Sequence, residues 1–138
     1  MTHDPDAGPA RPRGPVVHRH EPLPAATRSG GGTRFLDRPA SAAWTEPVLA
    51  QWELVGAGWE DRHPHTETNV VVEGVLHVEC EGVEVVLRPG DVVTVPAGVT
   101  GRYWAPERAR MVSVYGPNPD GAPTPPGREW TVGPATPG

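Results

Sequence analysis

The densest group of side chains able to do chemistry lies at residues 60–69, with the sequence EDRHPHTETN. On an extended strand the odd-numbered side chains share one face, which holds Asp61, His63, His65, Glu67 and Asn69. Neighbours on that face are about 6.6 Å apart, so two can bind one ion, whereas four in a row require a bulge or a twist. Imidazoles combined with carboxylates favour Fe, Mn, Ni, Cu or Zn over Ca or Mg. The cluster is therefore a candidate site for a divalent transition metal.

The segments around this cluster, within residues 44–116, predict an all-β fold. Short runs with strand character occur at 69–73, 75–80, 83–87, 92–95, 102–104 and 110–115, with turns between them. Gly74 allows the tight turn between the first two runs. A further strand around Trp52 is predicted to end at residues 56–58, whose sequence is GAG. About eight short strands without a helical pattern indicate a sandwich or a barrel.

The composition divides the 138 residues into one domain, 44–116, and two flanking segments. Of the 19 prolines, 6 fall in residues 1–33 and 7 lie beyond residue 116. We therefore predict a Pro-, Gly- and Arg-rich arm at 1–43 that is largely disordered, and a Pro-rich C-terminal tail at 117–138. Trp130 and Val132 are candidates to anchor the tail through a short strand.

Charge and composition exclude several classes of function. The chain has no lysine, which removes Schiff-base and P-loop chemistry. Cys80 is the only cysteine, so neither a disulfide framework nor a thiolate metal cluster is expected. Residues 44–116 carry 5 arginines against 11 acidic residues, a net charge of −6 that disfavours a nucleic-acid partner. Without a long apolar run we expect no membrane segment and a cytoplasmic protein, and the lack of Lys and Ile indicates a bacterial source.

Two motifs within residues 58–104 resemble the conserved motifs of the cupin superfamily, a group of small RmlC-like jelly-roll barrels. The family's second motif, a glycine followed after five residues by Pro-x-Gly, is matched by GDVVTVPAG at 90–98. The first motif ends in a glutamate, six residues and a glycine. Glu67 and Gly74 match that ending, and His63 stands four residues before the glutamate. The resemblance covers about half of the chain and implies a single cupin jelly-roll β-barrel.

The same resemblance implies a set of metal ligands, from which this chain departs at two positions. In the register without gaps, the family's first histidine falls on Asp61 and its last on Gly101, which leaves His63 and Glu67 in place. Asp61 or His65 is then expected as the third ligand. No imidazole is available at Gly101, so a gap is expected there that a water or a substrate atom can fill.

The same alignment makes two further residues candidates for the site. Tyr103, two residues beyond Gly101 on the predicted inward face, is expected to reach the gap as a hydrogen-bond donor or catalytic acid. In a second register, His63 and His65 form the histidine pair and Asn69 takes the glutamate position, which requires a bulge before the next turn. We favour the first register because it keeps the inward face consistent.

For function, the resemblance implies two alternatives. The first is a metal-dependent enzyme that acts on a small organic molecule inside the barrel, through dioxygenase, decarboxylase, isomerase or lyase chemistry. The second is a non-catalytic or metal-free barrel that binds a small ligand, in which the polar cluster only lines a wet barrel mouth. The family also implies a homodimer formed through an edge strand.

Overall fold

The described part of the chain consists of β-structure. The computed structural model describes residues 14–23, 31–36 and 41–133. Eight strands lie within these residues: β1 (Thr33–Phe35), β2 (Val48–Arg62), β3 (Glu67–Gly74), β4 (Leu76–Cys80), β5 (Val83–Leu87), β6 (Val92–Val95), β7 (Thr100–Tyr115) and β8 (Arg128–Thr131). Nowhere in the described ranges does a helix occur that is long and apolar enough to cross a membrane. These strands confirm the prediction of an all-β fold.

Two long strands, β2 and β7, form the middle of the structure. They pair antiparallel along their lengths, from Val48 opposite Tyr115 to Arg62 opposite Thr100. The C-terminal half of β7 also pairs with β3, and its N-terminal half pairs with β4. Strands β1 and β8 pair with β2, β6 pairs with β3, and β5 pairs with β4. The result is an antiparallel jelly roll in which β7 contacts both halves of the molecule.

A β-bulge at Gly56 divides β2 into two halves of opposite side-chain parity. Before the bulge the even-numbered residues are buried, as with Trp52, and after it the odd-numbered residues face inward, as with Asp61. Gly56 has a φ of 56°, in the left-handed region that favours glycine. The prediction that this strand ends at 56–58 is therefore wrong, because the glycine bends the strand without terminating it. The bulge directs Asp61 into the barrel.

Strand β7 is likewise continuous, although the sequence pattern predicts two separate strands at 102–104 and 110–115. In the pairing with β2, Ala105 and Arg108 have partners, and the two residues between them lie opposite the Gly56 bulge. One of these two is Pro106, which has no N–H to donate to a ladder. The matching irregularities let both strands bend together without breaking.

The inward face changes from polar at one end of the barrel to apolar at the other. Three cross-strand pairs of β3 and β7 follow this gradient in order: Glu67 with Tyr115, Asn69 with Ser113, and Val71 with Met111. The apolar end is closed by side chains such as Leu54, Leu76 and Val78, which are at most 1% exposed. Burial of each such side chain contributes about 1.5–3 kcal/mol. The apolar core therefore supports a polar site at the opposite end.

Both flanking segments contribute contacts to the domain. In the N-terminal arm, the Glu21 carbonyl accepts a hydrogen bond of 2.6 Å from the buried Arg110 guanidinium. In the tail, β8 pairs with residues 57–60 of β2. The Trp130 ring approaches within 2.1 Å of the position a Cβ would take at Gly58, so only glycine allows this approach. Much of the disorder predicted for the arm falls at 1–13, 24–30 and 37–40, which lie outside the described residues.

Candidate metal centre

Three of the four predicted ligands converge at the polar end of the barrel. Asp61 lies near the end of β2, His63 in the following turn and Glu67 at the start of β3. His63 Nε2 is 3.0 Å from Asp61 Oδ2 and 3.3 Å from Glu67 Oε2. One ligand atom from each residue lies within 4.8 Å of the others. Donors bound at about 2.1 Å to one ion are about 3.0 Å apart at right angles and about 3.4 Å apart at the tetrahedral angle, so the group has the spacing of a metal site.

A turn at residues 63–66 makes this convergence possible. Residues 60–69 do not form one extended strand, because β2 and β3 are separate strands. The Gly98 N–H donates a hydrogen bond of 2.8 Å to the His63 carbonyl. Gly98 belongs to the Pro-x-Gly motif, so the backbone of that motif positions His63.

His65, the fourth predicted ligand, is not part of this group. Its ring stacks on the ring of His63 with centroids 4.7 Å apart, and its Nδ1 is 3.0 Å from the Thr66 carbonyl oxygen. Desolvation lowers the pKa of His65 and outweighs the hydrogen bond to Thr66. The residue is therefore a buried, neutral imidazole that supports one face of His63.

His63 interacts strongly with both carboxylates. Desolvation lowers the pKa of His63, but its hydrogen bonds to Asp61 and Glu67 outweigh this and raise the pKa to about 10. On the opposite side of the ring, Nδ1 is 3.1 Å from Thr124 Oγ1. Without an ion, a protonated His63 is expected between the two carboxylates at neutral pH. An ion that binds there must displace this proton.

A buried hydrogen-bond network orients Glu67. Asn69 Nδ2 donates to Glu67 Oε1 at 3.2 Å. Asn69 Oδ1 accepts from Trp52 Nε1 at 2.9 Å and from the Ser113 hydroxyl. Hydrogen bonds of this kind fix the orientation of a metal-binding carboxylate. Asn69 thus hydrogen-bonds Glu67 and is not part of the group formed by Asp61, His63 and Glu67, an arrangement that favours the register without gaps.

Replacing Asn69 by alanine is expected to lower the free energy of unfolding by about 2–6 kcal/mol. The substitution leaves the buried Trp52 N–H and Ser113 hydroxyl without their acceptor, and such unpaired groups cost about 1–3 kcal/mol each. Urea unfolding of the metal-free protein measures the loss. Thr68→Val on the same strand removes only an exposed contact to Thr94 and should change the free energy by less than about 0.5 kcal/mol. Equal losses in the two variants would contradict this role for Asn69.

Asp61 is oriented by Trp59, which the sequence pattern alone does not single out. Trp59 Nε1 donates a hydrogen bond of 2.7 Å to Asp61 Oδ2. Both residues lie on the inward face of the second half of β2, where Trp59 is opposite Tyr103 and Asp61 is opposite Gly101. The i, i+2 spacing of an indole donor and a carboxylate is the signal that points to this pair once the parity of the strand is known.

Tyr103 fills the gap that was expected at Gly101. A Cβ built on Gly101 would lie 2.8 Å from the Tyr103 hydroxyl oxygen and 2.9 Å from its ring. The Tyr103 hydroxyl donates to Glu67 Oε2 at 3.2 Å, and the residue is 1% exposed. Burial, followed by the charge of Glu67, raises the pKa of the phenol. The tyrosine therefore reaches toward Gly101 as expected, and its protonated phenol takes up space that a water or a substrate atom was expected to fill.

Two cavities adjoin the cluster. The inner cavity has a volume of about 40 Å³ and is lined in part by Trp59, Asp61 and Glu67. A polar space of about 15 Å³ of this kind holds one water, so the inner cavity admits a few waters but no organic molecule. The outer cavity has a volume of about 370 Å³ and is lined in part by His63. Tyr115 lines both cavities and therefore lies between them.

Tyr115 and Thr124 are further site residues that the sequence motifs do not include. Tyr115 shares its parity with Tyr103 on β7, so strand alternation indicates that it points inward. Its ring contacts His63 edge-on with centroids 5.4 Å apart. Thr124 lies in the Pro-rich tail, where no periodicity predicts a contact with the site.

The comparisons with known proteins agree with this architecture. A family model described as the Cupin domain matches residues 53–115. KdgF from Halomonas sp. has a TM-score of 0.58 at 20% identity, with 70% of this chain and 88% of that chain covered. An RmlC-like cupin from Shewanella frigidimarina has a TM-score of 0.57 at 23% identity, with 71% and 92% covered. Salicylate 1,2-dioxygenase from Pseudoaminobacter salicylatoxidans has a TM-score of 0.58 at 18% identity, with 67% of this chain but only 26% of that chain covered. No curated protein matches the sequence significantly.

Residues 53–115 match the Cupin domain family model, which supports placing this part of the chain in the cupin superfamily. The family model and the jelly-roll neighbours support the same assignment, and the two motifs stand on the strands where the barrel requires them. The predictions of family and fold class are therefore confirmed. At these levels of identity the solved structures establish the fold, and the chemistry of the site depends on its own residues.

Proposed function

We propose that this cupin is a metal-dependent enzyme that acts on a small organic molecule by dioxygenase, decarboxylase, isomerase or lyase chemistry. Asp61, His63 and Glu67 would hold a divalent ion of Fe, Mn, Ni, Cu or Zn. The observation that carries the proposal is the spacing of 3.0 and 3.3 Å from His63 Nε2 to the two carboxylate oxygens. One imidazole and two carboxylates match the ligand preference of these metals and leave coordination positions open.

The residues around the three ligands have distinct roles in this proposal. A bound ion would supply Lewis acidity to an oxygen of the substrate or to molecular oxygen. Trp59 and Asn69 orient the carboxylates of Asp61 and Glu67 through hydrogen bonds of 2.7 and 3.2 Å. Tyr103 stays protonated and donates a hydrogen bond to Glu67. Its proposed catalytic role is therefore that of a hydrogen-bond donor or acid.

A metal-free small-ligand barrel is the second candidate, and one observation favours it. His63 already hydrogen-bonds both carboxylates, and Tyr103 completes the contacts of Glu67. A cationic imidazole between two carboxylates is electrostatically satisfied without an ion. The two candidates therefore differ in whether a metal displaces the proton from His63.

Metal content of the untagged full chain tests the proposed function. After exposure to Fe²⁺, Mn²⁺, Ni²⁺, Cu²⁺ or Zn²⁺ in turn and removal of free metal, elemental analysis should find about one ion per chain for at least one metal. His63→Ala should lose this ion. His77→Ala is the matched control because His77 lies away from the site, stacked on Trp104. Substoichiometric metal in the wild type, or equal metal in all three proteins, would overturn the proposal.

Metal binding at neutral pH is expected to release about one proton from the site. His63 has a pKa of about 10, so its imidazole is protonated below that pH, and only the neutral form binds an ion. The apparent affinity should therefore rise as pH increases from 6 to 8, by up to about tenfold per pH unit. Calorimetric titration with Zn²⁺ in buffers of different ionisation enthalpy counts the protons released. Binding without proton release would show that His63 is not the ligand.

The homodimer implied by the family stays a prediction, and strand β5 is a candidate edge for it. Within the described ranges β5 pairs only with β4. Val83 and Val86 on this strand are 63% and 43% exposed, which is unusual for valine in a strand. An unpaired edge with apolar side chains is the kind of surface that a second copy can extend.

A further inference from the structure

The outer cavity, beside the proposed metal ligands, has the size of a small-molecule site. Its volume of about 370 Å³ lies within the range of about 300–1,000 Å³ typical of ligand pockets. Its lining includes the hydrophobic and aromatic side chains of Phe35, Trp44, Val48 and Tyr115.

The charge around this cavity disfavours an anionic ligand. Among the residues described, no arginine lines the cavity, and the chain contains no lysine. The carboxylates of Asp61 and Glu67 lie within 3.3 Å of His63, which forms part of the wall. Apart from the imidazoles of His63 and His65, the polar side-chain groups of the wall are hydroxyls, those of Ser41, Tyr115 and Thr124. An anion would find His63 already engaged by the carboxylates of Asp61 and Glu67, and no arginine among the described lining residues to offset its desolvation.

The aromatic rings of the wall are arranged to receive a further ring. Trp44 meets His65 edge-on with centroids 5.1 Å apart, and His65 meets Tyr115 edge-on at 5.3 Å. Edge-to-face arrangements of this kind leave ring faces and edges that favour another aromatic ring over an aliphatic chain. Thr124 Oγ1, which is hydrogen-bonded to His63, adds one polar contact on the side nearest the proposed metal ligands.

We propose that the outer cavity binds a neutral aromatic molecule that carries a hydroxyl or carbonyl oxygen. The aromatic ring lies against Trp44 and Tyr115, and the oxygen faces Thr124 and His63. Thr124 is hydrogen-bonded to His63, which contacts Asp61 and Glu67, so the polar end of the molecule is the part nearest the proposed metal ligands. The inference rests on the proposed function in one respect, since it makes this molecule the class of substrate for the metal site.

Binding of 2-naphthol, 2-naphthoate and cyclohexanol to the untagged full chain tests the inference. Calorimetry or ligand-observed NMR should show that 2-naphthol binds at least about tenfold more tightly than either of the others. Ser41→Trp places a bulky side chain at the cavity wall and should weaken 2-naphthol binding at least about tenfold. Glu84→Trp adds the same side chain to exposed β5 and should change the affinity less than about twofold. Thermal melts of both variants establish that they are folded.

Each outcome of this experiment bears on the inference. Equal binding of 2-naphthol and 2-naphthoate, no detectable 2-naphthol binding, or equal effects of the two tryptophan variants would overturn it. The titrations are run on metal-free and Zn²⁺-loaded protein, because the cavity walls require no ion. Selective 2-naphthol binding by a chain that binds no metal would overturn the proposed enzyme and leave the ligand class standing. A chain that binds about one metal ion but no 2-naphthol would overturn the ligand class and leave the proposed enzyme standing.

Discussion

Replacing Glu67 by glutamine is expected to weaken metal binding at least about 100-fold while leaving the barrel folded. Glutamine keeps the volume of the buried side chain, which is 3% exposed, but removes one of the two negative charges that would hold the ion. The loss exceeds the tenfold to hundredfold effect that is typical of residues that only orient a ligand. Titration of the metal-free protein with the metal found in the wild type measures the affinity.

Glu84→Gln is the matched control for this substitution. Glu84 is exposed on β5 and contacts His77 at 3.8 Å, away from the candidate metal centre. Its replacement removes the same charge from the chain and should leave the metal affinity within about twofold of the wild type. If Glu67→Gln bound metal as tightly as Glu84→Gln, Glu67 would not be a ligand, and the spacing of the three donors would reflect only their mutual hydrogen bonds.

Introducing histidine at Gly101 is expected to destabilise the barrel by about 1–3 kcal/mol unless Tyr103 is also removed. The Cβ of the new residue would lie 2.8 Å from the Tyr103 hydroxyl oxygen, so the buried phenol ring would have to move. Tyr103→Ala alone should cost about 3–5 kcal/mol, because it empties a buried site and leaves Glu67 without one donor. The double variant should lose less unfolding free energy than the sum of the losses in the two single variants, with a coupling energy of about 1–3 kcal/mol.

Urea unfolding of the four metal-free proteins in this cycle gives the coupling energy. Thr100→His, on the exposed side of the same strand, is the control and should show no coupling to Tyr103→Ala. In the double variant an imidazole at 101 stands beside Asp61, its partner across the ladder, so metal affinity should exceed that of Tyr103→Ala alone. Additive free energies for Gly101→His and Tyr103→Ala would show that the tyrosine does not occupy the space of the missing imidazole.

These two predictions concern different properties of the same site. Glu67→Gln tests whether the polar cluster is a metal centre, whereas the Gly101 and Tyr103 cycle tests how the barrel compensates for a ligand that cupins usually have. In this chain the compensating group is a phenol that donates to Glu67 at 3.2 Å. A hydrogen bond to that carboxylate orients it, which an additional imidazole ligand would not do.

Several properties of this protein follow from local sequence alone. Alternation on β3 and the tight turn at Gly74 predict the strands, because side-chain parity and positive φ are local requirements. The Pro-x-Gly motif ending at Gly98 indicates the family for the same reason, since its turn depends on a few neighbouring residues. The choice of Asp61, His63 and Glu67 as candidate ligands came from their spacing in the family's motif.

The assembly of the site, in contrast, depends on contacts between distant residues. The bulge at Gly56 reverses the parity of β2, and strand alternation without the bulge places Asp61 on the wrong face. The turn after β2 separates His65 from the other candidate ligands, and its shape depends on a hydrogen bond from Gly98. Strand parity predicts that Tyr103 reaches toward Gly101, but packing decides how closely its ring approaches that residue, because the fit of a neighbouring side chain is not encoded in spacing.

Sequence by itself therefore determined an all-β cupin with a short list of polar candidates, and the tertiary structure decided which of them meet. The physical reason is the range of the interactions involved. Strand periodicity and turn conformations operate over a few residues, whereas a metal site requires atoms from separate strands to lie about 3 Å apart. That distance is set here by the paired bends of β2 and β7 and by Thr124 from the tail, 61 residues beyond His63.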